Sequence, residues 1–231
     1  MDIFYNICIK LDKLTVVIYT SIMIKLTVKF SPEYEVERVK GALRRLQWFK
    51  DNGYNVKFPE SMVVNLGIDI SEDQIKTAVD AEYNEDDFKI KGAYLLENWN
   101  KFIEGVSAEL TKTSLNVRDI YTVYITKYGV GGSYNYPDTV IVNAGSFGQG
   151  LLRMVFHEIV HLMIHTWITQ YNVSHWQKER IVDLLTTRFA PQISRTQEIP
   201  IEITEPVDKI FNEHYPDIEL AIKNVGLLTK N

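Results

Sequence analysis

From residue 22 the chain alternates: Ile22, Ile24, Leu26, Val28 and Phe30 take one set of positions, Met23, Lys25, Thr27 and Lys29 the other. A period of two puts the first set on one face of a half-buried strand. Then the period lengthens. Ser31-Pro32-Glu33 opens a helix through Lys50, with proline at the first helical position and Gly53 ending it. Ser71 with Gln74 caps a second helix, and a third is predicted from about Asp86 to Thr111. Asn116 to Lys127 reads as a strand, with Ile120, Thr122, Tyr124 and Thr126 alternating with Tyr121, Val123 and Ile125. Residues 138–143 read as another. Between them Gly129 to Pro137 is Gly-rich and aromatic, so the two strands are expected to form an antiparallel hairpin.

Beyond the hairpin the apolar positions thicken into a buried helix. Met154, Val155 and Phe156 precede His157-Glu158-Ile159-Val160-His161, and Leu162, Met163 and Ile164 follow it. The turn Gln170 to Val173 lets the next helix fold back antiparallel. Ser174 and Gln177 read as a capping box that opens it, and Pro191 stops it after about Ala190. The elements add up to an α+β fold: a small mixed or antiparallel sheet, a buried helix, and a second helix behind it. We expect an N-terminal α/β region over 1–112, forming one wall of a cleft, and a second region over 113–231.

Charge and composition narrow the partners. The net charge is −5 and the lysines and arginines are scattered, which argues against a nucleic-acid groove. The Gly-rich segment lacks the GxxxxGK[ST] pattern of a phosphate cradle. Acidic residues thicken near the C-terminus (Glu198, Glu202, Glu205, Asp208, Glu213, Asp217, Glu219) and read as a solvated surface. One cysteine, Cys8, leaves no internal disulfide framework and is compatible with the cytoplasm, the expected location. The uncharged run Leu14 to Ile24 is too short for a membrane span, which needs about 20 residues. It has no small-residue cleavage site, and Asp2 and Asp12 spoil a basic leader. We read strand there, with Met23 a second candidate start that would leave 1–22 as an extension.

The candidate chemistry lies in two strings, HExxH at 157–161 and ExxxD at 179–183. On a helix, His157 and His161 stand one turn apart and about 40° apart around the axis, so both imidazoles can reach one ion. A catalytic zinc takes three side chains and leaves its fourth position to water. Continuation to HExxHxxGxxH fails, because Ile164 and Trp167 occupy the glycine and third-histidine positions. Glu179 early in the second helix supplies the third ligand instead, and Asp183 one turn on can accept the free N–H of His157. The bland alternatives are a buried helix with merely satisfied histidines and a solvated acidic face at Glu179 and Asp183. His165 reads as core or as a neighbour of the ligands.

These strings resemble the gluzincin branch of the zincin metallopeptidases. The resemblance implies His157, His161 and Glu179 as ligands to one Zn2+ per chain, Glu158 as general base, and Asp183 as the group that orients a ligand histidine. It covers roughly 138–190. A looser similarity is to the small ImmA/IrrE-type zincins, in which a strand ending in asparagine, here Asn143, leads into the metal helix. The helix-turn-helix module that often accompanies those proteins is absent from this sequence.

The expected function is therefore peptide hydrolysis by a zinc-activated water on a peptide or protein substrate. Its counter-readings are a partner-specific regulatory zincin and a non-catalytic zinc-binding interaction module. An oxyanion-stabilising group is expected from Tyr171, His175, His214 or Tyr215, with His214 and Tyr215 ranked first. Val140, Val142 and Asn143 are expected to form an exposed edge that pairs with the substrate backbone.

Overall fold

The computed structural model describes residues 5–8, 17–20, 23–65, 67 and 69–228, with the backbone alone for the first two stretches. Expectations for 1–4, 9–16 and 21–22 lie outside the described residues. Among the described residues there are six strands and eight helices. β1 (Tyr5–Cys8) and β2 (Val17–Thr20) pair antiparallel. A separate four-stranded mixed sheet has the order β3-β4-β6-β5. The protein is thus α+β. No described helix is long and apolar enough to cross a membrane.

The chain divides into two compact units that interleave in sequence: 1–25, 99–119 and 160–231 form one, 26–98 and 120–159 the other. The expected boundary at residue 112 falls inside the first.

The second unit holds most of the sheet. β3 (Lys25–Lys29) keeps the expected alternation, with Leu26 and Val28 half-buried and Lys25, Thr27 and Lys29 exposed. α1 (Pro32–Arg44) starts where expected, with Ser31 Oγ accepting from the Tyr34 N–H at 3.1 Å. It does not run to Lys50. Arg45 leaves helical geometry, and a separate α2 (Leu46–Asp51) buries Leu46 and Phe49 while Arg45 lies over the Phe49 ring. α3 (Glu72–Glu82) carries the Ser71–Gln74 capping box, and α4 (Glu85–Leu110) is the long third helix. Val36 and Val39 of α1 pack with Ile75 and Val79 of α3 and with Tyr128 in one apolar cluster.

The hairpin expectation is corrected. β4 (Ile120–Thr126) and β6 (Thr139–Asn143) are parallel, in the register Thr122↔Thr139 to Thr126↔Asn143. The Gly-rich segment is itself partly a strand, β5 (Gly132–Asn135), which pairs antiparallel with β6 from Gly132↔Val142 to Asn135↔Thr139. β6 is therefore internal, paired on both sides, and Val140 and Val142 are fully buried. They and Asn143 do not form an exposed edge. Asn143 ties the strand end instead, donating to the Lys127 carbonyl at 2.9 Å and accepting from the Gly145 N–H at 2.8 Å. The outer strand on this side is β5.

Alternation sorts the sheet faces. Tyr124 of β4 stacks on Tyr34 of α1, centroids 3.8 Å apart, so α1 covers the face shared by Tyr124, Ile141 and Ser133. The opposite face carries Val123, Ile125, Val140 and Val142, all buried.

Apart from the β1–β2 pair, the described part of the first unit is mostly helical. α5 (Gln149–Gln170) runs into it and is followed by α6 (His175–Phe189), α7 (Ile201–His214) and α8 (Ile218–Leu228). Arg180 of α6 makes a two-pronged pair with Asp208 of α7, both contacts at 2.6 Å. Tyr171 donates to Glu219 of α8 at 2.9 Å, and Asp217 caps α8 through the Leu220 N–H at 3.0 Å. Of the C-terminal acidic residues, Asp208 and Glu219 thus join elements, whereas Glu198, Glu202, Glu205 and Glu213 are exposed as the solvated-surface reading expects.

Glu35 of α1 is almost fully buried, one oxygen accepting from the Lys127 N–H at 2.5 Å and the other without a hydrogen-bond partner. Loss of water lifts its pKa from 4.5 to about 7, against the Lys127 and Tyr128 backbone donors. A raised carboxyl pKa contributes stability that is present below the unfolded value and is lost as pH rises through the folded one. Unfolding free energy should therefore fall between about pH 4.5 and 7. In Glu35→Gln that fall should flatten, as read by urea titrations across the range; equal pH slopes in both proteins would remove Glu35 as its cause.

Candidate metal centre

α5 is apolar nearly all round: Leu151, Val155, Phe156, Ile159, Val160 and Ile164 are all fully buried. A helix of this kind sits inside a core. Among its polar groups, three cluster there. His157 is half-buried, Glu158 and His161 are buried, and one ligand atom from each lies within 4.8 Å of the others.

A tight helix end brings the second string back. Asn172 has φ 54°, and the Asn172 and Val173 N–H groups donate to the Thr169 and Ile168 carbonyls, which closes α5 with a Schellman turn. The Ser174 N–H then donates to Gln177 Oε1 at 3.1 Å, opening α6 as expected. Glu179 and Asp183, one turn apart, both point inward and are buried, so they are not a solvated face.

Glu179 Oε2 lies 3.3 Å from His161 Nε2. The same carboxylate accepts from Gln197 Nε2 at 2.8 Å, with Lys178 Nζ at 3.0 Å and His175 Nδ1 at 3.8 Å from its other oxygen. Asp183 Oδ2 accepts from the Gln197 backbone N–H at 2.7 Å. One residue between α6 and α7 therefore holds both carboxylates. Neither Gln197 nor Lys178 is singled out by sequence reasoning, because no periodicity links a loop glutamine to a helix face. For Lys178 the signal was its adjacency to Glu179.

Glu158 is placed by the sheet. A Cβ built on Gly132 would stand 2.2 Å from Glu158 Oε1, so the carboxylate occupies the space where a side chain on β5 would be. Burial pushes the His175 pKa below its ordinary value, Glu179 opposing and Lys178 assisting, and His165 is lowered by burial and by Lys178.

The ranked pair His214 and Tyr215 has partners elsewhere. His214 Nε2 is 3.3 Å from Asn224 Nδ2 of α8. Tyr215 lies under the Arg188 guanidinium, 4.1 Å from its ring centroid and nine positions beyond Glu179 on α6, about 13 Å along the axis. Tyr171 is committed to Glu219. Of the four oxyanion candidates, His175 is the one that reaches the Glu179 carboxylate.

Gln197→Ala should remove one donor from a buried carboxylate and cost about 1 kcal/mol of unfolding free energy. Urea titration at neutral pH measures this, and an unchanged midpoint would show that Gln197 does not hold Glu179.

No protein-family model, no curated protein and no solved structure matches this chain.

Proposed function

We propose that the protein is a zinc-dependent peptidase with a zincin-like centre. The observation that carries this reading is the group on α5, half-buried His157 with buried Glu158 and His161, with His161 Nε2 only 3.3 Å from Glu179 Oε2. Two ligand atoms each about 2.1 Å from a tetrahedral zinc stand about 3.4 Å apart. The donor set also suits the ion: two imidazoles and one carboxylate leave one coordination position for water.

In this reading His157, His161 and Glu179 hold the metal, Gln197 orients Glu179, and Asp183 stands one turn further along the same face. Bound zinc supplies a water with pKa near 7 and polarises the scissile carbonyl. Glu158 would serve beside it as the general base and then pass the proton to the leaving amine. Its carboxylate packs against Gly132 of β5, so a peptide extending the sheet at that strand passes beside the base. Burial of Glu158 and His161 keeps bulk water from competing for these groups.

Purified protein should carry one zinc per chain by elemental analysis, with Glu179→Gln lowering affinity more than Asp183→Asn. Glu158→Gln should keep zinc and melting temperature while slowing cleavage of a mixed peptide library by about 10²–10⁴-fold, read by mass spectrometry with and without a chelator. Bound zinc without chelator-sensitive cleavage by the unsubstituted protein would instead favour a metal-stabilised binding module.

Gly132→Ala offers a separate check. The added methyl must displace the Glu158 carboxylate, so cleavage should fall on the order of ten- to a hundredfold with zinc content unchanged. Full activity in this variant would detach β5 from the catalytic geometry.

A further inference from the structure

The two faces of β5 meet different chemistry. Gly132 abuts Glu158, whereas Ser133, one position on, points to the opposite face and accepts from Arg38 Nη1 of α1 at 3.0 Å. On that face lies a pocket of about 460 Å³, lined by Arg38, Arg44 and Arg45, by Ser133 and Asn135 of β5, and by Glu37 among others. Three cations face one carboxylate. Glu37 is already engaged with Lys40 at 2.7 Å.

Arg38 is the unusual member. It is only 8% exposed, its two hydrogen-bond acceptors are the neutral Ser133 hydroxyl and the Val130 carbonyl at 3.4 Å, and its Nε has none. The other buried ionisable group of α1, Glu35, accepts from the Lys127 backbone and makes no ion pair with Arg38. Glu158 and Glu35 attract Arg38 through space, yet neither is hydrogen-bonded to it, and a carboxylate entering the pocket would supply a directly bonded partner. Burial pushes the Arg38 pKa down, and the nearby Arg45 adds to this, while Tyr34, Glu158 and Glu35 oppose it. Arg44 and Arg45, both exposed, sit where they can meet the incoming anion first.

We propose that this pocket is a carboxylate-binding subsite, filled by an acidic side chain or by the terminal carboxylate of a peptide lying along β5, which makes acidic peptides the preferred substrates. The proposal rests on reading β5 as the strand that pairs with substrate. Side chains of an extended peptide alternate between the two faces, so the residue next to one lying over Glu158 would be directed to the arginines.

Binding separates this subsite from the peptidase reading. Full-length Glu158→Gln protein would be titrated by fluorescence polarisation with acetylated, amidated octapeptides carrying one Glu at successive positions, with their Gln counterparts, and with a Gln peptide having a free C-terminal acid. At one position Glu should bind about tenfold more tightly than Gln. A matching gain for the free acid would identify the terminal carboxylate as the source. Arg38→Gln should bring the ratio close to one. So should Arg44→Gln/Arg45→Gln, whose exposed positions keep the fold intact. Equal binding of all three peptide types, or a ratio indifferent to the arginine substitutions, would overturn the subsite. Chelator-sensitive cleavage by the unsubstituted protein without acid preference would also overturn it while leaving the peptidase standing. Arginine-dependent acid binding without any cleavage would do the reverse.

Discussion

A buried carboxylate beside a buried imidazole sets the terms for the helical unit. Glu179 and His161 are each more than nine-tenths withdrawn from water and 3.3 Å apart. Removing a charged carboxylate from water costs several kcal/mol unless donors or cations replace the lost hydration. The surroundings supply them: Gln197 and Lys178 touch Glu179, and the Gln197 backbone serves Asp183. The Schellman turn at Asn172 and the capping box at Ser174 fix the approach of α6, and the Arg180–Asp208 pair ties α6 to α7. The Lys178 ammonium and the Gln197 amide thus offset the cost of burying the Glu179 carboxylate beside His161.

A related constraint operates around the sheet. Gly129 has φ 81°, and a Cβ there would come within 2.5 Å of Arg38 Nε. Gly132 leaves the space that the Glu158 carboxylate fills. Two glycines three positions apart thus admit two ionisable side chains, one on each face of β5. Substitution at Gly129 would be strained by its backbone conformation whatever the space available. The Gly-rich segment is better understood as room for these side chains than as a pliable turn.

Much of this was legible in the sequence because it is local. The period-two run through β3, the caps at Ser31, Ser71 and Ser174, and the HExxH spacing all report on residues within a turn or two of one another. The α+β class follows from the same signals. The C-terminal helices were not anticipated, since α7 and α8 owe much of their definition to Asp208, Glu219 and Asp217 meeting partners on other elements or capping them. α1 breaks at Arg45 without a glycine or proline to announce it.

The sequence by itself determined the start of α1, the helices α3 to α6, the caps at Ser31, Ser71 and Ser174, and the periodicity that sets His157, His161, Glu179 and Asp183 on single helix faces, because hydrogen bonding and side-chain direction within an element depend on neighbours in the chain. Only the tertiary structure decided that β6 is internal and parallel to β4, that β5 is the outer strand, that Gln197 serves both carboxylates, and that Arg38 lies buried against Ser133. Strand order and the partners of buried charges arise from contacts between residues far apart in sequence. No local period encodes those contacts, so they are settled by which packing leaves the fewest polar groups without partners.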